Sequence, residues 1–452
     1  MDFLDTLISL LQTGLGSLAA YLAAHVLLCL LPAFFIAGAL SALVPKEAIT
    51  RFLGKDTPKW ISYPAAAIGG FILAVCSCTI MPLFAGIYKK GAGLGPAITF
   101  LFVGPAVNIL AISFTGVQIG MDIAIARVVL SLVFGVLIGL IMAKVFERDD
   151  EAHNQQTNNN NMFAGSASVP AHTTIFLLVL LGVLLAGTLQ VGLLTNSYVN
   201  FTLPAAWADA FQTRLDALVP PNAAFGIEGI SVHGVGLIIL LAAIAVAAFK
   251  GFDHVFEKFD SWTVASLVLI GVTLLAAALK MELVNGSLVI GITGKFIALV
   301  MLLSTLWLLA SRKFAREEIQ EWLWEMWRFI KQIIPLLLVG VFAAGMARQL
   351  IPADWIKAIA GRNTIMANLM GVIFGVFMYF PTLVEVPVAQ TFLALGMHRG
   401  PLLAYLLSDP ELSLQSILIT NSIIGRKKVL LYVLLVAIFS TLSGWIFGLT
   451  VN

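Results

Sequence analysis

Charge is what this chain has least of. Asp, Glu, Lys and Arg together make up 11% of its 452 residues, while hydrophobic residues make up 60%. A soluble domain averages about 25% charged and roughly 45–50% apolar. The length would allow two to four soluble domains, but the composition excludes them. Cysteine is almost as scarce: Cys29, Cys76 and Cys78 all sit in apolar segments, which excludes a disulfide scaffold. No GxxxxGK[ST] loop occurs, so an ATP motor within the chain is unsupported. No spaced His/Asp/Ser set suggests a hydrolase, no cofactor is expected, and no basic patch suggests nucleic acid at a net charge of +2. No Lys or Arg precedes the first apolar segment, which argues against a cleavable signal peptide.

Long apolar runs are what the chain does have. A bilayer-spanning helix needs about 20 mostly apolar residues, and stretches of that kind recur along most of the sequence. The first group falls near 18–44, 61–88, 96–119 and 123–146. A polar, Asn-rich stretch at 147–172 reads as a flexible loop. A second group follows near 173–194, 231–249, 262–280 and 288–311. Its internal section 195–230 holds one basic residue, Arg214, and is expected outside. Residues 312–330 read as an amphipathic surface helix anchored by Trp322, Trp324 and Trp327. The last group, near 332–350, 365–397, 401–424 and 429–449, completes the chain to residue 452.

The last group repeats the first. PKEAITRFLGKDT (Pro45–Thr57) matches PADWIKAIAGRNT (Pro352–Thr364) without a gap. Gly70, Pro82, Gly95, Pro96 and Pro105 align in one register with Gly375, Pro387, Gly400, Pro401 and Pro410. Pro32 pairs with Pro335 after a small shift. Proline is only 17 of 452 residues, so several matches in one register exceed chance. The expected fold is therefore an all-α polytopic membrane protein with two homologous repeats, 1–146 and 331–452, around a four-span insertion, 173–311. If every segment crosses fully, the repeats are parallel and many basic residues fall outside. If the second segment of each is a re-entrant hairpin, turning at Cys76–Cys78 and at Pro381, the repeats are inverted and most move inside. The positive-inside bias favours inversion.

Cys76-Ser77-Cys78 is the sharpest chemical signal. On a regular helix, residues two apart point about 200° away from each other, so both sulfurs share a ligand only in a turn. Thiolates prefer soft ions, and Cys29 could add a third sulfur. Buried cysteine is also a common small hydrophobe, so packing alone is the competing reading. In the repeat register Cys76 stands opposite Pro381 and Cys78 opposite Leu383. The second half instead offers Glu385, opposite Ile80. An intramembrane carboxylate is costly and marks a functional site by default, here a candidate for proton coupling. Val103–Asn108 aligns with Ser408–Ser413, and a proline in each breaks the helix. Pro105, Asn108, Asp409 and Glu411 are candidates to line those breaks. Arg127 and Asp122 are expected near a span end, and Asn421 in helix packing.

The run Cys76–Asn108, CSCTIMPLFAGIYKKGAGLGPAITFLFVGPAVN, resembles the signature region of a predicted-permease family, of UPF0718 type. That family includes ArsP-like organoarsenical and arsenite exporters and YraQ-like permeases. Four features carry the resemblance: Cys76 and Cys78, Pro82, Lys90-Gly91-Ala92, and Phe100–Pro105. It implies a multi-pass permease of a bacterial or archaeal inner membrane, not an enzyme. The family's characterised members export trivalent arsenicals, and related ones are linked to soft metal ions. The first reading is thus a secondary exporter of a thiophilic solute, held by Cys76 and Cys78 and coupled to protons through Glu385. A permease for another solute, such as an organic or sulfur-containing anion, would be independent of the thiols. A membrane thiol–disulfide oxidoreductase would need a relay of cysteine pairs, and only one further Cys exists. A structural or signalling component is disfavoured by the broken, polar interior. The expected partners are a small-molecule or metalloid substrate and the lipid bilayer, and a homo-oligomer is compatible.

Overall fold

Hydrocarbon offers no water to backbone polar groups, so spanning segments must bond internally. The apolar runs accordingly form helices. The computed structural model describes residues 3–24, 26–73, 77–107, 109–152, 169–189, 191–219, 229–257, 259–284, 286–349, 353–377 and 382–451. The first group is α1 (Phe3–Ala24), a π turn (Val26–Leu30), α2 (Leu31–Leu43), α3 (Lys46–Leu53), α4 (Lys59–Leu73), α5 (Ser77–Lys89), α6 (Leu94–Ala106), α7 (Ile109–Gln118) and α8 (Met121–Val145). The middle group is α9 (Ala171–Thr188), β1 (Ser197–Pro204), α10 (Ala206–Leu218), α11 (Val232–Gly251), α12 (Ser261–Ala277), β2 (Lys280–Val284), β3 (Ser287–Thr293) and α13 (Gly294–Lys313). The last group is α14 (Arg316–Gln349), α15 (Ala353–Ala360), α16 (Ile365–Phe377), α17 (Thr382–Ala394), α18 (Arg399–Leu412), α19 (Leu414–Ile424) and α20 (Arg426–Thr450). Six of the described helices are long and apolar enough to cross a membrane alone, and three bent pairs raise the number to as many as nine. The chain is a multi-pass membrane protein.

Four expectations need correction. The chain is not purely helical: β1, β3 and β2 form an antiparallel sheet in that order. Residues 288–293 belong to its central strand rather than to a span. Asn285-Gly286, a strong hairpin dipeptide, was the sequence signal for it. Second, no separate surface helix occupies 312–330. α14 runs unbroken for 34 residues. Its Trp322, Met326, Phe329, Ile333 and Leu337 recur at helical spacing and are all buried. The tryptophans therefore pack the core; Trp322 Nε1 donates to Phe35 O at 2.9 Å. Third, the chain is helical from Phe3, and the first span bends by 50° between Leu22 and Leu27. Fourth, residues 147–152 are helical rather than loop. Their acids anchor the chain: Asp150 Oδ1 accepts from Leu94 N at 3.1 Å, and Glu151 pairs with Lys55 at 2.6 Å.

Helices α4 and α5 leave and return to one place. Gly93 N–H donates to Leu53 O at 2.8 Å, joining the residues that flank the pair. Helices α16 and α17 do the same: His398 N–H donates to Ala360 O at 2.9 Å. The first junction lies at the C-terminal end of α8, through Lys55–Glu151 and Leu94–Asp150. The second lies at its N-terminal end, through Arg399–Asp122 at 2.8 Å and Gln390 Nε2 donating to Gln118 O at 3.0 Å. α8 has 25 residues, about 37 Å at 1.5 Å per residue. The two junctions are therefore a membrane thickness apart.

From α2 and from α14 onward the first and last groups run through the same order of elements, and one contact recurs in register. A Cβ added at Gly139 would sit 2.6 Å from Gly95 O; one added at Gly444 would sit 2.6 Å from Gly400 O. Small residues let spans approach this closely. Gly444→Leu should overpack the α18–α20 crossing by about 1–3 kcal/mol. Gly271, whose added Cβ would meet nothing within 4 Å, is the control. Thermal unfolding in detergent should move for Gly444→Leu and not for Gly271→Leu.

Candidate functional site

The charged interior is built where the two groups meet. Arg127 occupies the second turn of α8 and is fully buried. Its Nη2 donates to Glu385 Oε2 at 2.9 Å. Glu385 lies in the first turn of α17, and both side chains are at most 1% exposed. A buried ion pair recovers its desolvation cost only with close geometry and further hydrogen bonds. A second pair lies within electrostatic reach of the first: Tyr432 Oη, on α20, donates to Glu411 Oε2 at 2.7 Å. Glu411 sits in the last turn of α18, 2% exposed.

Broken helices frame these groups. α6 carries Pro105 in its last turn, buried, and bends by 50° into α7. α18 carries Pro410 in its last turn and bends by 44° into α19. Proline offers no N–H to the preceding turn, which is why both helices end there. Ser413 caps the second break, its Oγ accepting from Ser416 N at 3.4 Å. The return helix of each hairpin then packs on the broken helix of the other group. α5 lies against α19, where Thr420 Oγ1 donates to Met81 Sδ at 3.5 Å; α17 lies against α7 through Gln390 and Gln118.

The interior is polar but not self-satisfied. Among the described residues, Arg127 Nε and Nη1, Glu385 Oε1, Glu411 Oε1 and both amide atoms of Gln415 lack a hydrogen-bond partner. Buried polar groups are nearly always bonded, so each exception calls for water or a ligand. Donors and acceptors are both on offer. A cavity of about 470 Å³, lined by Tyr88, Lys89, Asp149, Phe329, Gln332 and Lys428, opens at the end of the molecule that carries the first hairpin junction.

The candidates named from sequence divide as follows. Glu385, Glu411 and Asp409 are buried, and the first two share the site with Arg127. Cys76 and Asn108 lie outside the described residues, as does Pro381. Ser77 and Cys78 are the first two residues of α5. Cys29 is half-buried in the π turn. Among the described residues no group of three or more His, Cys, Asp or Glu could hold a metal ion. Asp122 is at a span end as expected. Arg127 is not peripheral, and Asn421 is exposed rather than packed. Sequence reasoning missed Arg127, although it is the sole basic residue of the apolar run 123–143. The rule that flags an intramembrane carboxylate flags it equally. Tyr432 and Gln415 carried no such signal.

A profile of the family described as "Predicted permease" matches residues 13–449. The UPF0718 protein MJ0584 of Methanocaldococcus jannaschii is 31% identical over 450 residues, covering 99% of both chains. The UPF0718 protein YraQ of Escherichia coli is 30% identical over 121 residues, which are 26% of this chain and 34% of that protein. The UPF0718 protein YcgR of Bacillus subtilis is 24% identical over 114 residues, 25% and 38% of the two chains. No solved structure matches. Together with its spans and its polar interior, these likenesses place the chain in the predicted-permease family, as a membrane transporter rather than an enzyme.

Proposed function

We propose that this permease is a secondary exporter of a thiophilic solute, a trivalent arsenical or soft metal ion. It works through two inverted repeats with re-entrant hairpins. The supporting observation is the buried, incompletely bonded cluster Arg127, Glu385, Glu411 and Gln415 beside two helix breaks. Midplane sites on discontinuous helices between repeats are the usual build of secondary transporters. The hairpin junctions at opposite ends of α8 support inversion, and Lys55, Lys59, Lys89 and Arg426–Lys428 then mark the cytoplasmic face. Cys76, Ser77 and Cys78, at and just before the start of α5 in the sequence, supply the soft ligands, with Cys29, Pro105 and Asn108 lining the path. Proton coupling draws on the buried carboxylates of this cluster.

Thermal shift of purified protein tests the soft-ligand part, with methylarsenite, arsenite, antimonite, soft metal ions and sulfur anions. Cys76→Ser and Cys78→Ser should each weaken methylarsenite binding at least about tenfold, or 1.4 kcal/mol. Unchanged binding in both variants and in the double variant would sink the thiol site. A second reading, a permease for an organic or sulfur-containing anion, is favoured by the unpartnered N–H groups of Arg127. It predicts binding of a sulfur anion that the double cysteine variant retains.

A further inference from the structure

The two buried carboxylates are not equivalent. Glu385 faces the Arg127 guanidinium at 2.9 Å. Glu411 touches a hydroxyl: Tyr432 Oη occupies its Oε2, and its Oε1 has no partner among the described residues. The titratable neighbours that bear on it can be named. α20 brings Tyr432, α8 brings Arg127 and α17 brings Glu385. α18 itself carries Arg399, Tyr405 and Asp409, and the other described helices packed on it, α6, α16 and α19, bring no ionisable side chain. Arg127 is already committed to Glu385. One guanidinium next to two ionised carboxylates would leave a net negative charge, fully buried, and an uncompensated buried charge is the costly case.

We propose that Glu411, not Glu385, is the proton-carrying residue. Oε1 holds the proton while Tyr432 holds Oε2, and Glu385 stays ionised as the counter-charge that keeps Arg127 in place. This deepens the exporter reading and rests on it only for the transport step. One proton binds at Oε1 from the extracytoplasmic side and leaves to the cytoplasm as one solute moves out.

Two measurements test it. Infrared spectra of the purified, monodisperse wild type at neutral pH should contain the carbonyl band of a protonated carboxyl group. The band should change frequency in Glu411→Asp, which keeps the charge balance but alters the carboxyl itself, and hold its position in Glu385→Asp. A band unchanged in E411D, or one that shifts in E385D alone, overturns the assignment. This readout needs no substrate, so it stands even if methylarsenite proves not to be carried. In proteoliposomes, E411Q should lose methylarsenite accumulation driven by a pH gradient. Undiminished gradient-driven accumulation in E411Q also overturns it. Wild-type exchange that ignores the gradient, with the infrared pattern as expected, would instead count against proton coupling and leave Glu411 the protonated group.

Discussion

Arg127→Leu should abolish transport and destabilise the protein by about 3–5 kcal/mol. Removing the guanidinium leaves Glu385 buried at 1% exposure, in reach of a second carboxylate and of no other cation among the described residues. Removing both charges is a different case. An apolar pair of similar volume is often neutral or stabilising relative to a buried ion pair. The double variant Arg127→Leu/Glu385→Leu should therefore regain most of the lost stability and none of the transport. Thermal denaturation of the two variants in detergent, with vesicle transport alongside, separates the outcomes. If the single and the double variant unfold at the same temperature, the pair is not the electrostatic unit described. If the double variant still transports, the pair serves stability alone.

Residues Lys55 and Lys357 should lie on opposite sides of the membrane. Each lies close to the hairpin junction of its group: Lys55 pairs with Glu151, and the Lys357 side chain lies against Gly396, which has φ +92°. In a background with Cys29, Cys76 and Cys78 replaced by Ser, Lys55→Cys should react with a membrane-impermeant thiol reagent only after the cytoplasmic face is opened. Lys357→Cys should react in intact cells. The effect is all or none, and labelling of both from one side would mean parallel repeats. α8 motivates this expectation, because the two junctions stand at the two ends of a helix of about 37 Å.

Much of this was legible in the sequence, for identifiable reasons. Apolar runs announce spans because hydrocarbon imposes one length on all of them. The breaks were legible because proline acts locally, so Pro105 and Pro410 mark bends wherever the chain goes. Glu385 and Glu411 stood out because carboxylates are rare in such runs. Their partners did not. Glu385 meets Arg127 across 258 residues, and no local pattern encodes a pairing at that distance. Tyr432 and Gln415 are ordinary residues until burial makes their polar atoms matter. The sheet was hidden for another reason: Leu288, Val289, Ile290 and Ile292 suit a strand and a span alike, and run length alone does not separate the two. The Trp stripe of α14 erred in the same way, since core and membrane interface draw on one composition.

The exchange of hairpins between the two groups also bears on how the protein is made. α5 rests on α19, and Met81 meets Thr420 339 residues later. At roughly 5–20 residues per second, the ribosome needs roughly 17–70 s to deliver that partner. Loop-closure entropy slows such distant pairings further. For that interval the first hairpin has no seat, however well its own helices form. The last-made stretch of chain therefore completes the fold, and a truncation after α18 should cost the first group its order as well as the second.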